Sequence, residues 1–121
     1  MLAHLRSLPD HWALLCGRSP PDELGFQTDK LQIIFNNTDQ AWVDDSPHAH
    51  TESDEVYIVL EGAMTIDVSG KPCIVAAGDF LCIPAGVFHQ LVAVSVPTKS
   101  FVIRSASIDD KIFKPTLNTT C

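Results

Sequence analysis

Short apolar segments separated by turn-forming residues make up most of the chain from Asp29 onward. Gly, Pro, Asn, Asp or Ser residues stand between neighbouring segments, as they do between β-strands. Helical segments do not alternate with them, which disfavours a parallel, doubly wound sheet. The pattern therefore predicts an all-β sandwich or barrel. The predicted strands are 31–35, 41–43, 55–60, 64–68, 73–75, 80–83, 88–94 and 100–104. The pair Ser69-Gly70 predicts the turn of a hairpin between 64–68 and the strand that follows.

The N-terminal part of the chain differs from this β-rich region. Residues 2–16 contain the only stretch with helical character, and Pro9 interrupts it. The consecutive prolines Pro20 and Pro21 predict an extended loop, because they remove two backbone donors. We therefore treat residues 1–28 as an extension that precedes the β-domain.

The C-terminal part of the chain is mostly polar. Its apolar side chains after Ser107 include Ile112, Phe113 and Leu117. This segment either docks on the β-domain through those residues or frays, and the sequence does not decide between the two. We assign residues 29–107 to the β-domain and 108–121 to a C-terminal tail.

The charge balance of the chain is acidic. Fifteen Asp and Glu residues outweigh eight Lys and Arg residues, which gives a formal net charge of −7. Nucleic acids and anionic membrane surfaces both require a basic face, so neither is expected as a partner. Hydrophobic residues make up 45% of the 121 residues and charged residues 19%. This is the composition of one globular domain.

Apolar runs in the sequence are short, and 57–60 is typical of them. A membrane-spanning helix needs about 20 consecutive apolar residues, so none is expected. His4, Arg6, Pro9 and Asp10 stand within the stretch where a signal peptide would carry its apolar block. The sequence therefore predicts a cytoplasmic protein with reduced cysteines.

Histidine side chains are spaced so that they can converge on one ion. His48 and His50 lie on the same side of a strand if both belong to it, with α-carbons about 6.6–6.8 Å apart. Glu55 lies five positions after His50, and this odd number would place it on the opposite face of an unbroken strand. The polar, turn-forming residues 51–54 let the chain turn, so that Glu55 can face the same interior. His89 follows a Pro-Gly turn that can direct it there as well.

Three imidazoles and one carboxylate are ligands that suit iron, manganese, nickel, copper, zinc or cobalt. Four protein ligands on an octahedral ion leave two positions for water, substrate or oxygen. A structural zinc site would more often be closed and rich in thiolates. The sequence predicts one divalent transition metal and leaves its identity open.

The spacing of these residues resembles the two motifs of the cupin superfamily. The first motif is represented by His48, Ala49, His50, Glu55 and Gly62, and the second by Gly78, Pro84, Ala85, Gly86 and His89. Residues 63–77 separate the two motif glycines, and this 15-residue gap resembles that of short cupins. Trp42 stands where the first motif usually has glycine, and Ala93 where the second usually has asparagine.

The resemblance implies a jelly-roll barrel, that is, a double-stranded β-helix, over the β-domain. It implies that His48, His50, Glu55 and His89 hold a divalent metal. Proteins of this superfamily are often homodimers, so the resemblance also implies a homodimer. Neither Trp42 nor Ala93 occupies a ligand position, so the implied ligand set is unaffected by these departures.

Alternation along 55–60 places Glu55, Tyr57 and Val59 on the face towards the metal. Tyr57 is the inward residue that could serve as an acid, a base or a hydrogen-bond donor to substrate; the alternative is an aromatic side chain that only lines the barrel. The opposite, apolar face of this strand packs on a second sheet or on a partner subunit. The side chains of 80–83 are expected in the core.

Three functions are compatible with these features. The first is a metal-dependent enzyme acting on a small organic molecule, as a dioxygenase or as a sugar or enol isomerase or lyase. The second is a non-catalytic module that binds a sugar or an organic acid through the metal. The third is a metal-free structural barrel. A fold that hosts many activities does not choose among them.

Overall fold

The computed structural model describes residues 3–115, and every regular element in this range is a β-strand. The all-β prediction is therefore confirmed. The strands are β1 (Ala13–Gly17), β2 (Phe26–Gln27), β3 (Gln32–Thr38), β4 (His48–His50), β5 (Glu55–Val68), β6 (Lys71–Ala76), β7 (Phe80–Ile83), β8 (His89–Arg104) and β9 (Lys111–Phe113). No helix among the described residues is long and apolar enough to cross a membrane.

Two long antiparallel strands, β5 and β8, form the centre of the sheet. Their pairing runs from Glu55 opposite Arg104 to Val68 opposite His89. β6 and β7 both pair with β5, while β3 and β4 both pair with β8. Each long strand joins two strands that the sequence separates, because Gly62 and Pro97 lie within them instead of ending them.

Gly62 produces a bulge that bends β5 without breaking it. Its φ of 78° is unfavourable for residues with a side chain. The backbone of β8 also passes so close that an added Cβ would lie 2.4 Å from the Ser95 carbonyl oxygen. The pairing register shifts between Val59 and Ala63. An extra residue in one strand thus continues the sheet while changing its direction.

The bulge also changes which residues of β5 face the interior. Tyr57 and Val59 are buried before it, at odd positions, whereas Met64 and Ile66 are buried after it, at even positions. These four side chains, together with Val75, Ile83 and Leu91, form the main core cluster. The alternation within each half follows from the strand period of two.

The turn between β5 and β6 agrees with the sequence. Val68 is paired with Lys71, which leaves a two-residue loop. Ser69 and Gly70 both have positive φ, 51° and 87°, as a type I′ hairpin turn requires. The Gly70 amide also donates to the Asp67 carboxylate at 2.8 Å.

Two predictions about the first half of the chain are wrong. No helix forms over the described part of 2–16; instead β1 pairs antiparallel with β3, with Ala13 opposite Phe35. Residues 41–43 are not a strand. At the neighbouring Asp44 the backbone amide donates to the Leu91 carbonyl at 2.9 Å, but the Leu91 amide donates to the Asp44 carboxylate at 2.9 Å instead of to a backbone carbonyl, so no strand ladder forms.

The described part of the C-terminal tail docks on the barrel. β9 pairs antiparallel with β4, with Phe113 opposite His48. The docking does not depend on apolar side chains, since Ile112 and Phe113 are 43% and 60% exposed. Backbone pairing and the buried Asp110 hold the segment instead. Leu117 lies outside the described residues.

The predicted strand 80–83 coincides with β7, but its expected burial is wrong for two of its four side chains. Ile83 is buried, whereas Phe80 is 71% exposed and Cys82 is also exposed. The reason is that the outer side of β7 has no layer packed over it in the described chain, so alternate residues face outward.

Candidate metal centre

The fold brings the four predicted metal ligands together. His48, His50, Glu55 and His89 each offer a ligand atom, these atoms all lie within 4.8 Å of one another, and all four residues are buried. β4 supplies two of them, and β5 and β8 each supply their first residue. Because His48 lies directly opposite His89 in the sheet, their imidazole centroids are only 4.4 Å apart.

Glu55 lies between two of the imidazoles. Its Oε1 is 2.9 Å from Nε2 of His89, and its Oε2 is 3.2 Å from Nε2 of His50. Burial raises the pKa of Glu55, but hydrogen bonds from His50, His89 and Tyr57 outweigh burial and hold it well below the usual value. The site therefore contains a carboxylate anion beside two ring nitrogens.

Each imidazole has an acceptor oxygen near its Nδ1 atom. The distances are 3.0 Å from His89 to the Val87 carbonyl, 3.1 Å from His50 to the Asp110 carboxylate and 3.8 Å from His48 to the Asp44 carboxylate. A histidine that binds a metal through one nitrogen usually donates its other N–H to such an oxygen, which fixes the ring. The surroundings of the three rings thus match those of metal ligands.

The histidines differ in how the site affects their protonation. Burial and the charges of His89 and Lys111 lower the pKa of His48. Burial also lowers the pKa of His89, but the hydrogen bonds to Glu55 and the Val87 carbonyl outweigh it and raise the value overall. A divalent cation among these groups would take the place of the proton between His89 and Glu55, since metal ligands must be deprotonated.

Asp110 is the site residue that sequence reasoning missed. Its buried carboxylate accepts hydrogen bonds from the Ser53 amide and hydroxyl at 2.9 and 2.7 Å, and from Arg104 Nη1 at 2.8 Å. Burial raises the pKa of Asp110, but hydrogen bonds from the Ser53 hydroxyl, the Glu52 amide and His50 outweigh burial and lower the pKa to about 2. No spacing rule could connect Asp110 with His50, because they lie 60 positions apart on segments that meet only in the folded chain.

The donor set fits a divalent transition metal. Three neutral imidazole nitrogens and one carboxylate oxygen can converge within the 4.8 Å spread, and these ligands bind iron, manganese, nickel, copper, zinc and cobalt alike. The geometry supports a metal centre at the predicted residues without selecting the ion.

Tyr57 lies on the inner face of β5, next to this cluster. Its ring meets that of His89 edge-on, with centroids 6.2 Å apart, and only 6% of the residue is exposed. Burial and the neighbouring Glu55 carboxylate raise the pKa of Tyr57 well above its usual value. The hydroxyl therefore keeps its proton and can act as a donor.

A cavity of about 290 Å³ gives access to the cluster. Besides the ligands on β4 and β5, its lining includes Tyr57, Trp42 and the cations Arg104 and Lys111. Arg104 is bound to Asp110 and, through Nε, to Gln32 Oε1 at 2.8 Å. Lys111 is exposed at the mouth, where its amine can reach an anionic group of a ligand.

Comparison with known families agrees with this geometry. The model of the family described as "Cupin domain" matches residues 39–103 of the chain. The chain is a cupin. The matched residues include all four candidate ligands of this cupin and both motifs that suggested the resemblance.

The similarity to a sequence relative covers only part of the chain. YdbB from Bacillus subtilis (strain 168), an uncharacterized protein, is 46% identical over 44 residues. The match covers 36% of this cupin and 39% of YdbB, so the chain is aligned with about two fifths of that relative.

Several solved cupin structures have the same fold. KdgF from Halomonas sp. is 25% identical, with a TM-score of 0.59 and coverage of 69% of this cupin and 74% of KdgF. Streptomyces PAC13, solved with uridine and described as a nucleoside dehydratase, is 10% identical, with a TM-score of 0.64 and coverage of 78% and 77%. The DMSP lyase DddQ from Ruegeria pomeroyi DSS-3 is 19% identical, with a TM-score of 0.60 and coverage of 85% and 50%. At identities of 10% and 19%, the likeness to the last two shows the fold alone.

Proposed function

We propose that this cupin is a metal-dependent lyase that eliminates a group from a small organic molecule. The observation that carries the proposal is the convergence of four ligand atoms within 4.8 Å at a 290 Å³ cavity that also contains the Tyr57 hydroxyl. A dehydratase and a DMSP lyase are among the cupins of similar fold. Both reactions are eliminations, which favours lyase chemistry over oxygenation or isomerisation as the first hypothesis.

The residues around the cavity supply the groups that an elimination needs. When bound, a divalent ion supplies Lewis acidity to a substrate oxygen. In an elimination a C–H proton is removed, the leaving group departs with its electron pair, and a double bond forms. Asp44 lines the cavity as a proton acceptor, and Tyr57 holds a proton at its hydroxyl for the leaving group. Lys111 binds an anionic substrate group at the mouth.

The test begins with the metal. The purified protein is analysed for bound metal, stripped with a chelator and reloaded with single divalent ions. It is then screened against β-substituted carboxylic acids for the ultraviolet absorbance of a new conjugated double bond. Turnover is expected only in the metal-loaded protein, and H89A should abolish both metal binding and turnover. H4A is the matched control, since His4 is exposed and outside the cluster. Oxygen consumption with the same substrates would contradict the lyase assignment.

One observation favours a non-catalytic binding module instead. The Tyr57 hydroxyl keeps its proton because burial and the neighbouring Glu55 carboxylate raise its pKa, and this would also hold for a tyrosine that only lines the barrel. In a binding module the metal would hold a small acid or sugar without turnover. Saturable binding of ligands by the loaded protein, with no product formed by any of them, would support this candidate against the lyase.

We further propose that this cupin is a homodimer. The outer face of β7, β5, β8 and β3 carries two apolar rows that run across the paired strands. These rows consist of Phe80, Ile58 and Phe101, and of Cys82, Val56, Ile103 and Ile33; Phe80 and Cys82 are exposed and the other side chains are half-buried. A partly exposed apolar face that crosses several strands is typical of protein–protein contact. Light scattering is expected to give twice the chain mass, and F80E should reduce this mass to that of the monomer. A monomer at micromolar concentration for the unaltered chain would refute the dimer.

The cytoplasmic location stays a prediction of the sequence.

A further inference from the structure

A second cavity opens beside the metal cavity. Its volume is about 730 Å³, and it shares Trp12, Asn36 and Trp42 with the smaller one. The two cavities are therefore neighbouring parts of one depression, with the indoles at their boundary. The chain has two tryptophans, and both lie at this boundary. We call the larger cavity the tryptophan groove and define it by Trp12, Asn37, Thr38, Asp39, Gln40 and Trp42.

The lining of the tryptophan groove differs chemically from that of the metal cavity. Amides, a hydroxyl and carboxylates alternate with the two indoles, and none of the lining residues in the described chain is a lysine or an arginine. The metal cavity, in contrast, contains Arg104 and Lys111. A groove without lysine or arginine disfavours phosphate or carboxylate groups, since an anion would lie beside Asp10 and Asp39, and the His11 ring of the groove already lies 3.2 Å from the Asp10 carboxylate. Planar amides and carboxylates can instead bind hydroxyl groups.

The exposure of Trp12 is a second reason to expect a ligand. The residue is 52% exposed, although burial of an indole ring contributes more favourable free energy than burial of most other side chains. Trp42 is half-buried and packed against the core cluster, so its position is fixed. Small-molecule sites typically combine aromatic surface with a few polar groups that fix orientation. Sugar rings have C–H faces that stack on an indole and hydroxyl edges that reach such polar groups.

We propose that the tryptophan groove binds the hydroxylated ring of a sugar or a nucleoside, and that the rest of the same molecule extends into the metal cavity. The assignment of the reacting end rests on the proposed lyase function, whereas binding of the ring does not require the metal. In this arrangement Trp42, where the cupin motif usually has glycine, is a substrate-binding residue that sequence reasoning left without a role.

Tryptophan emission reports directly on the groove, because both tryptophans line it. D-glucose, D-glucuronate and uridine are titrated into metal-free and metal-loaded protein, with emission and calorimetry recorded for the sugars and calorimetry for uridine. At least one probe should bind both forms. D-glucuronate should gain affinity on metal loading relative to D-glucose, because its carboxylate can reach the metal cavity and Lys111. A preference for D-glucose or for uridine identifies a sugar or a nucleoside as the source of the ring.

Substitutions separate the groove from general effects on the fold. W12A should weaken binding of the ring by about fivefold to tenfold, the loss expected for one aromatic stacking contact. Q40A, which removes an exposed polar group of the groove, should weaken it to a smaller degree. L8A is the matched control, since Leu8 is 55% exposed and lines a different cavity; it should leave binding unchanged.

Three outcomes would overturn the proposal. The first is that no probe binds either form of the protein. The second is that binding survives W12A and Q40A unchanged. The third is that tryptophan emission changes with protein concentration but not with any added probe, which would mean that a second copy of the chain covers the groove. Ring binding without any elimination would count against the lyase function only, whereas elimination that is indifferent to W12A would count against the groove only.

Discussion

The carboxylate of Asp110 lies 3.1 Å from Nδ1 of His50, and it connects the C-terminal segment with the metal centre. Arg104 Nη1 approaches the same carboxylate oxygen at 2.8 Å and the same ring nitrogen at 3.0 Å. Because Arg104 can only donate, the carboxylate is the acceptor that both groups require. Asp110 therefore orients the His50 ring so that its Nε2 faces the other ligands.

The first prediction concerns this positioning role. D110N keeps the size of the side chain but removes the charge that His50 and Arg104 share. We expect metal affinity to fall by about 10-fold to 100-fold, measured by competition with a chelator. D109N is the matched control, because Asp109 is exposed. The unfolding free energy of the metal-free variants is measured in parallel, and affinity that falls only in proportion to lost folded protein would contradict a positioning role.

The second prediction concerns Tyr57. If its hydroxyl supplies a proton in the elimination, Y57F should lower kcat by about 10²-fold to 10⁴-fold, with metal content unchanged. In a binding module the same substitution would change only ligand affinity. Metal analysis and steady-state kinetics on one preparation distinguish these results, and a kcat equal to that of the unaltered protein would exclude the tyrosine from proton transfer.

The third prediction concerns the bulge in β5. G62A forces a residue with a side chain to a φ of 78° and brings its Cβ to 2.4 Å from the Ser95 carbonyl oxygen. G70A is the matched control, because Gly70 also has positive φ but no other atom of the described chain lies within 4 Å of an added Cβ.

We expect G70A to lower the unfolding free energy by about 1 kcal/mol through backbone strain alone. G62A should lower it by more, since the β8 backbone cannot move away cheaply. Urea unfolding of both variants measures the difference. Equal losses would show that close approach of the two strands contributes nothing beyond the backbone conformation.

The fourth prediction concerns removal of the metal. A cation that binds only the folded chain stabilises it, by about 2.7 kcal/mol when its free concentration is 100 times its Kd. Chelation should therefore lower the Tm of the unaltered protein but not that of H89A, in which the ligand set is incomplete. A chelator effect of equal size in both proteins would place the bound metal elsewhere.

The sequence predicts local features of this fold well. Turn residues and alternation identified the strand Phe80–Ile83 and the hairpin at Ser69 and Gly70, because both are determined by a few neighbouring residues. The convergence of the histidines and Glu55 could also be predicted, since two short motifs encode it.

Features that depend on distant segments could not be predicted. Gly62 resembles a strand end in the sequence, and only the neighbouring β8 backbone makes it a bulge. The polar tail contains no pattern that singles out Asp110, whose partners lie on β4, on β8 and in the turn between β4 and β5. Trp12 and Trp42 meet at one groove only because the loops that carry them fold over the same end of the barrel.

The inward-facing residues of β5 lie at odd positions before Gly62 and at even positions after it, and this limits how the length of β5 can be changed. Deleting a single residue between Val59 and Met64 would remove the extra residue of the bulge, so that plain alternation would keep Met64 and Ile66 on the inner face while β5 loses its bend. Removing two residues would instead turn Met64 and Ile66 towards water and bring Thr65 and Asp67 into the apolar interior, besides shortening the strand by roughly 6.8 Å. Protein engineers who wish to resize this barrel should therefore leave the spacing across Gly62 intact and vary the loops instead.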